Sequence, residues 1–182
     1  PSDYCILALL PAYLERTGSS LVYMVNDLIK KSNHDKSGFY LNNHQELRAT
    51  LEELKSKNQK TLLIGVSFGL LDFIEKQPFH WPELTVMETG GMKGRRKEMI
   101  RSELHSILKS GFCVGQIHSE YGMTELLSQA YSHENGLYRC PHWMKVSTRD
   151  SADPFGKTNF GQSGGLNIID LANINSCAFI AT

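Results

Sequence analysis

Thr61-Leu62-Leu63-Ile64-Gly65-Val66-Ser67-Phe68-Gly69 is the stretch that decides the fold. From Thr61 to Val66 nothing is charged and most residues are aliphatic, so the run reads as a strand buried on both faces. A short helical pattern follows from Leu70 to Lys76 and stops before Pro78. The same alternation repeats on either side. Upstream, Tyr4 to Leu10 (YCILALL) reads as a buried strand ended by Pro11. Ser19 or Ser20 caps a helix whose inner face carries Leu21, Val25, Leu28 and Ile29. Phe39 to Leu41 is a short strand, and Asn43 with Glu46 forms a capping box ahead of Leu47, Leu51 and Leu54. Downstream, Leu84 to Met87 reads as strand and Arg95 to Lys109 as helix, with Ile100, Leu104, Ile107 and Leu108 facing inward. Cys113 to Ile117 reads as a further strand.

Apolar strands alternating with amphipathic helices imply an α/β fold, with a largely parallel sheet flanked by helices on both faces. Past Ser132 the helical period is lost. Tyr138 to Val146 and Leu166 to Ile180 read as strands, the latter pair a hairpin around Asn173 to Ser176, and Ser151 to Gly165 reads as a surface loop. The expected division is residues 1–132 as the parallel-sheet part and 133–182 as a smaller β-rich continuation. The closing run NSCAFIAT, Asn175 to Thr182, stops inside a strand-like pattern, and truncation is the expectation.

Lys plus Arg and Asp plus Glu balance at 19 each, which gives no electrostatic case for a nucleic-acid partner. No apolar run approaches the roughly 18 residues of a membrane span. The four cysteines lie far apart without a CxxC pair, so they read as reduced thiols in a cytoplasmic protein. Cys140, His142 and His133 have no standard zinc-site spacing.

Ligands of open parallel sheets bind beyond the carboxyl ends of the strands, and three of these ends carry candidate chemistry. His118-Ser119-Glu120-Tyr121-Gly122-Met123-Thr124-Glu125 combines an aromatic face, a permissive glycine, a hydroxyl and a carboxylate. A Thr hydroxyl can bond a phosphate oxygen and a Glu can hold Mg²⁺ beside phosphates. The competing reading makes Thr124 a helix cap and Glu125 a first-turn acid. Gly65-Val66-Ser67-Phe68-Gly69 fits GxSxG between strand and helix, so a serine hydrolase using Ser67, Glu88 and His118 is a rival; the alternative is a tight turn with Ser67 as cap. Glu88-Thr89-Gly90-Gly91 stands at the third strand end. Beyond it, Lys93-Gly94-Arg95-Arg96-Lys97 is either an anion site or a solvated basic turn.

Tyr121-Gly122-Met123-Thr124-Glu125 resembles the Tyr-Gly-x-Thr-Glu signature of the adenylate-forming superfamily of acyl- and aryl-CoA ligases, firefly luciferase and related enzymes. The wider context, IHSEYGMTELLSQAY with METGGMKGRRKEM upstream, looks most like the acyl-protein synthetase family. Its namesake activates fatty acids for the bacterial bioluminescence reductase complex. The resemblance implies a truncated piece of the large N-terminal domain of such an enzyme. It also implies ATP and AMP as nucleotides, Mg²⁺, a fatty or aryl carboxylic acid, and a thiol acceptor on a protein cysteine or coenzyme A. Tyr121 and Gly122 would meet the adenine side, with Tyr121 stacking. Gly90 and Gly91 would pass backbone close to the adenine. Thr124 would contact the α-phosphate and Glu125 would hold the metal.

Nothing in the chain resembles the family's upstream Gly-, Ser- and Thr-rich phosphate loop. The ribose-binding Asp, the mobile C-terminal domain with its Lys and the acyl-accepting cysteine are not seen either. The fragment alone is therefore expected to be inactive. A noncatalytic interaction module on a ligase-like fold is the third reading.

Overall fold

In the computed structural model, residues 1–10, 18–41, 43–76, 78–92, 94–134, 136–153 and 155–182 are described. Pro11 and Lys93, named above, and Pro154, inside the expected Ser151 to Gly165 loop, lie outside them. The chain divides into two compact units. One comprises Pro1–Glu120 with His133–Gly136, the other Tyr121–Ser132 with Leu137–Thr182.

The first unit follows the β-α alternation. Strands β1 (Cys5–Leu9), β2 (Gly38–Phe39), β3 (Thr61–Val66), β4 (Thr85–Thr89) and β5 (His118–Tyr121) pair in parallel in the order β2-β1-β3-β4-β5. The seven-stranded order continues through β6 (Ala130–Glu134) and β7 (Leu137–Arg139), the latter a part of the second unit. Every residue of β1 is buried, so both of its faces are covered. Helices α1 (Ser20–Ser32), α2 (His44–Ser56), α3 (Ser67–Lys76) and α4 (Arg101–Phe112) supply Val25, Leu47, Leu51, Phe73, Leu104 and Phe112 to one core cluster. Phe73 stacks on Phe112 at 5.9 Å. Gly65 and Gly111 permit the closest approaches: a Cβ on Gly65 would sit 2.7 Å from Leu70, and one on Gly111 2.6 Å from Ile74.

Local signals placed several elements. Ser19 caps α1 by accepting from Val22 N at 3.3 Å. Asn43 caps α2 by accepting from Glu46 N, and its amide donates back to the Glu46 carboxylate at 2.7 Å. Two expectations fail. Residues 95–100 are not helical, and α4 begins at Arg101 with Ile100 as a cap that makes no side-chain hydrogen bond. The cause is tertiary: Arg96 is drawn to Asp72 and Glu75 on α3, pairing with both carboxylates. Ile100 and Ile107 then face outward, 70% and 40% exposed, while Leu104 and Leu108 are buried. The strand expected at Cys113–Ile117 is also displaced. Cys113 adopts φ 56° as the C-cap of α4, and the strand runs instead from His118 to Tyr121.

In the second unit β8 (Met144–Arg149), β9 (Gly165–Asp170) and β10 (Phe179–Ala181) form an antiparallel sheet in the order β10-β9-β8. A single 3-10 turn, Leu171–Asn173, opens the expected β9–β10 connection. Met144 and Ile168 pack with Leu126 in its small core, flanked by Tyr121, Met123, Leu166 and Ile180. The single strand expected from Tyr138 to Val146 is two, β7 and β8, because the chain turns through Pro141 to Trp143.

The parallel register sets Gly65, Glu88 and Ser119 side by side at the carboxyl ends of β3, β4 and β5. Glu88 is 3% exposed. Ser67 Oγ lies 3.1 Å from Glu88 Oε2 and 3.2 Å from the Gly90 carbonyl, to which it also donates. His105 Nε2 stands 3.5 Å from Glu88 Oε1 and 3.0 Å from Ser119 Oγ, and Arg101 Nε lies 3.6 Å from Oε1. Burial pushes the Glu88 carboxyl up. Hydrogen bonds from His105, Ser119 and Ser67, with the Arg101 charge, outweigh it and leave the group below the ordinary carboxylate range.

Two outcomes follow. Leu63→Ala empties a fully buried position of β3 and should cost about 2–5 kcal/mol in urea unfolding, whereas a loss below about 1 kcal/mol would contradict the packing. Because the folded pKa of Glu88 is depressed, its stabilisation is present at neutral pH and is lost as pH falls through the folded value. The stability gap between wild type and Glu88→Gln should therefore be widest at neutral pH and close as pH falls below the ordinary carboxylate range. A gap independent of pH would show that the carboxylate charge contributes nothing.

Candidate functional site

The hydrolase geometry is not assembled. Ser67 is the first residue of α3 and 2% exposed, and its hydroxyl is directed to the Glu88 carboxylate and the Gly90 carbonyl rather than to an imidazole. A nucleophilic serine needs a base that can take its proton and a route to substrate. His118, the expected base, stands on β5 with its Nε2 3.2 Å from Gln116 Nε2 and its ring edge-on to His133 at 5.9 Å. The GxSxG pattern is a close-packed strand-to-helix turn in which Ser67 ties the end of β3 to the end of β4.

Gly90 follows β4 with φ 70°, a conformation that favours glycine. A side chain on Gly91 would meet nothing within 4 Å, so its backbone borders open space. Thr89 Oγ1 donates to the Glu120 carboxylate on the neighbouring strand. The basic stretch beyond is structural where it is described: Arg95 lies over the Phe68 ring at 5.1 Å, and Arg96 is neutralised by Asp72 and Glu75.

In the second unit, Tyr121 ends β5 and meets Tyr138 edge-on, with ring centroids 6.1 Å apart. Gly122, Thr124 and Glu125 are exposed, and Leu126 N closes the turn by donating to Met123 O at 3.1 Å. No helix follows. The chain passes through Leu126–Gln129 into β6, so Thr124 is not a helix cap and Glu125 is not a first-turn acid. The reason is visible in the amides that would start such a helix. Leu127 N donates to Asn173 Oδ1 and Ser128 N to Asp170 Oδ2, each at 2.9 Å. Among the described residues, the Thr124 hydroxyl and the Glu125 carboxylate have no side-chain partner. Both are exposed. A single unencumbered carboxylate suits Mg²⁺, which retains waters and phosphate oxygens in its octahedral shell. Among the described residues, no group of three or more His, Cys, Asp or Glu forms a cage of protein ligands.

Gly90 and Gly91 thus belong to one unit, and Tyr121, Gly122, Thr124 and Glu125 to the other. Sequence reasoning missed the side chains that hold these segments. His105 and Arg101 sit one helical turn apart on α4 and face Glu88; their spacing lies within the expected helix, but nothing local in the sequence names Glu88 as their partner. Asp170, at the end of β9 and capping the 3-10 turn, is fully buried. An open groove of about 610 Å³ runs along α4, lined by Arg101, His105, Lys109 and Gln116 among others. None of the sequence-predicted site residues lines it.

No known protein-family profile matches the chain. No curated protein matches it in sequence. Among solved structures, it is similar to coronafacic acid ligase from Pectobacterium brasiliense, with a TM-score of 0.54, 19% identity and 94% of this chain covered. A mutant form of that ligase gives a TM-score of 0.55 at the same identity and coverage. The chain spans 32% of the length of these ligases. At this identity the likeness is one of fold: an α/β architecture matching part of a ligase.

Proposed function

We propose that the chain is a central segment of an ATP-dependent acyl-adenylate-forming ligase, most like the acyl-protein synthetases. The observation that carries this reading is the Tyr121–Glu125 turn. Its aromatic ring, hydroxyl and carboxylate stand at the end of a parallel strand, and Thr124 and Glu125 serve no helix. The likeness in fold to a solved acid ligase supports it.

In this reading Tyr121 stacks on adenine, while Gly122 and the Gly90–Gly91 backbone allow close approach of the nucleotide. Thr124 donates to the α-phosphate. Glu125 holds Mg²⁺, which when bound supplies positive charge against the phosphate oxygens. The substrate carboxylate, of a fatty or aryl acid, attacks the α-phosphorus and pyrophosphate leaves. The thiol of a protein cysteine or of coenzyme A then attacks the acyl-adenylate carbonyl, a thioester forms and AMP leaves. Thr124 acts by positioning and by stabilising charge that develops on phosphate oxygen. Among the described residues no helix is long and apolar enough to cross a membrane. The four cysteines are free thiols, which supports a reducing, cytoplasmic setting.

Carboxylate-dependent ATP–pyrophosphate exchange tests the reading, run on the full-length protein with a panel of fatty and aryl acids. Exchange should require an acid and fall on the order of 10²-fold in Glu125→Ala. The isolated chain should form no AMP. A folded full-length protein that exchanges with no acid, or that exchanges equally well as Glu125→Ala, would overturn the proposal and favour a noncatalytic module.

A further inference from the structure

The segment from Gly122 to Gln129 belongs to no helix or strand, so no ladder of backbone bonds fixes Thr124 and Glu125 in space. It is held from outside instead. Asp170 at the end of β9 and Asn173 in the following 3-10 turn are 0% and 4% exposed. Asn173 Nδ2 donates to the Glu125 carbonyl at 2.5 Å, and Asn173 Oδ1 accepts from Leu127 N at 2.9 Å. Asp170 Oδ2 accepts from Ser128 N at 2.9 Å. Its Oδ1 accepts from Ser128 Oγ at 2.7 Å and from Ala172 N at 3.0 Å. Trp143 Nε1 completes the set by donating to Ser128 Oγ at 2.9 Å.

We infer that Asp170 and Asn173 are positioning residues that clamp the backbone of Glu125, Leu127 and Ser128 and so fix where Thr124 and Glu125 point. The inference rests on the nucleotide reading of that turn. Asp170 is a costly residue to bury, and among the described residues no cation pairs with it; N–H and O–H donors alone meet its charge. An apolar side chain could fill the same volume but could not accept from Ser128 N, Ser128 Oγ and Ala172 N. Two clamped positions bracket the Glu125–Ser128 stretch, so a small displacement of either moves the motif as a unit. Reacting groups tolerate little of that, and an error of about 1 Å can cost on the order of 10²-fold in rate.

The test uses Asn173→Asp, which keeps an acceptor for Leu127 N but removes the donor to the Glu125 carbonyl. Ile168→Val, also buried in this sheet but outside the clamp, is the packing control. Amide hydrogen exchange at Leu127 and Ser128 is read alongside ATP–pyrophosphate exchange kinetics, at matched fraction folded. Asn173→Asp should speed amide exchange at Leu127 and Ser128 and lower kcat by about 10-fold or more, with KM for the acid unchanged. Ile168→Val should alter neither. Wild-type kinetics or undiminished local protection in Asn173→Asp would overturn the clamp. A wild type without exchange activity would instead sink the nucleotide reading, and the positioning role with it.

Discussion

Side-by-side register at the carboxyl ends of β3, β4 and β5 forces a carboxylate, Glu88, into a place water does not reach, and the first unit is organised around satisfying it. Ser67 at the start of α3, Ser119 on β5, and Arg101 and His105 on α4 each contribute a donor or a charge. That one group therefore fastens two helices to two strands, β4 and β5, at the edge where ligands of parallel sheets bind. It also explains why a sequence resembling a nucleophile elbow is not one. The serine hydroxyl is committed to the carboxylate, and through Gly90 it steadies the turn beside it.

The second unit solves the same problem with a different carboxylate. Asp170 is satisfied by backbone and hydroxyl donors from a segment more than forty positions earlier in the chain, as the 42-residue separation from Ser128 shows. Between them Asp170 and Asn173 occupy the amides that would otherwise begin a helix after Glu125. The motif is left as an exposed turn. Its exposure is thus a consequence of buried polar chemistry beneath it, which connects the packing of the small sheet to the function proposed for the loop.

Much of the fold was legible because its signals are local. The uncharged run Thr61–Val66 is β3 to the residue, Ser19 caps α1, and Asn43 with Glu46 opens α2. Where the reading failed, a long-range contact had overridden local pattern. Arg96 is held by α3, so the helix expected from Arg95 starts at Arg101; the apolar run from Cys113 to Ile117 caps and leaves α4 instead of forming a strand. The motif itself could be picked out from residue types. Its supports could not, because an Asp in a strand and an Asn in a turn look alike whether they face solvent or clamp a distant backbone.

In the proposed function the Tyr121–Glu125 turn meets a nucleotide. Photolabelling of the full-length protein with 8-azido-ATP and Mg²⁺, with the adduct mapped by mass spectrometry, addresses it most directly. The expected result is a label on the peptide containing Tyr121, abolished by excess ATP. An ATP-protected label confined to the groove along α4, on the peptide from Arg101 to Lys109, would contradict it.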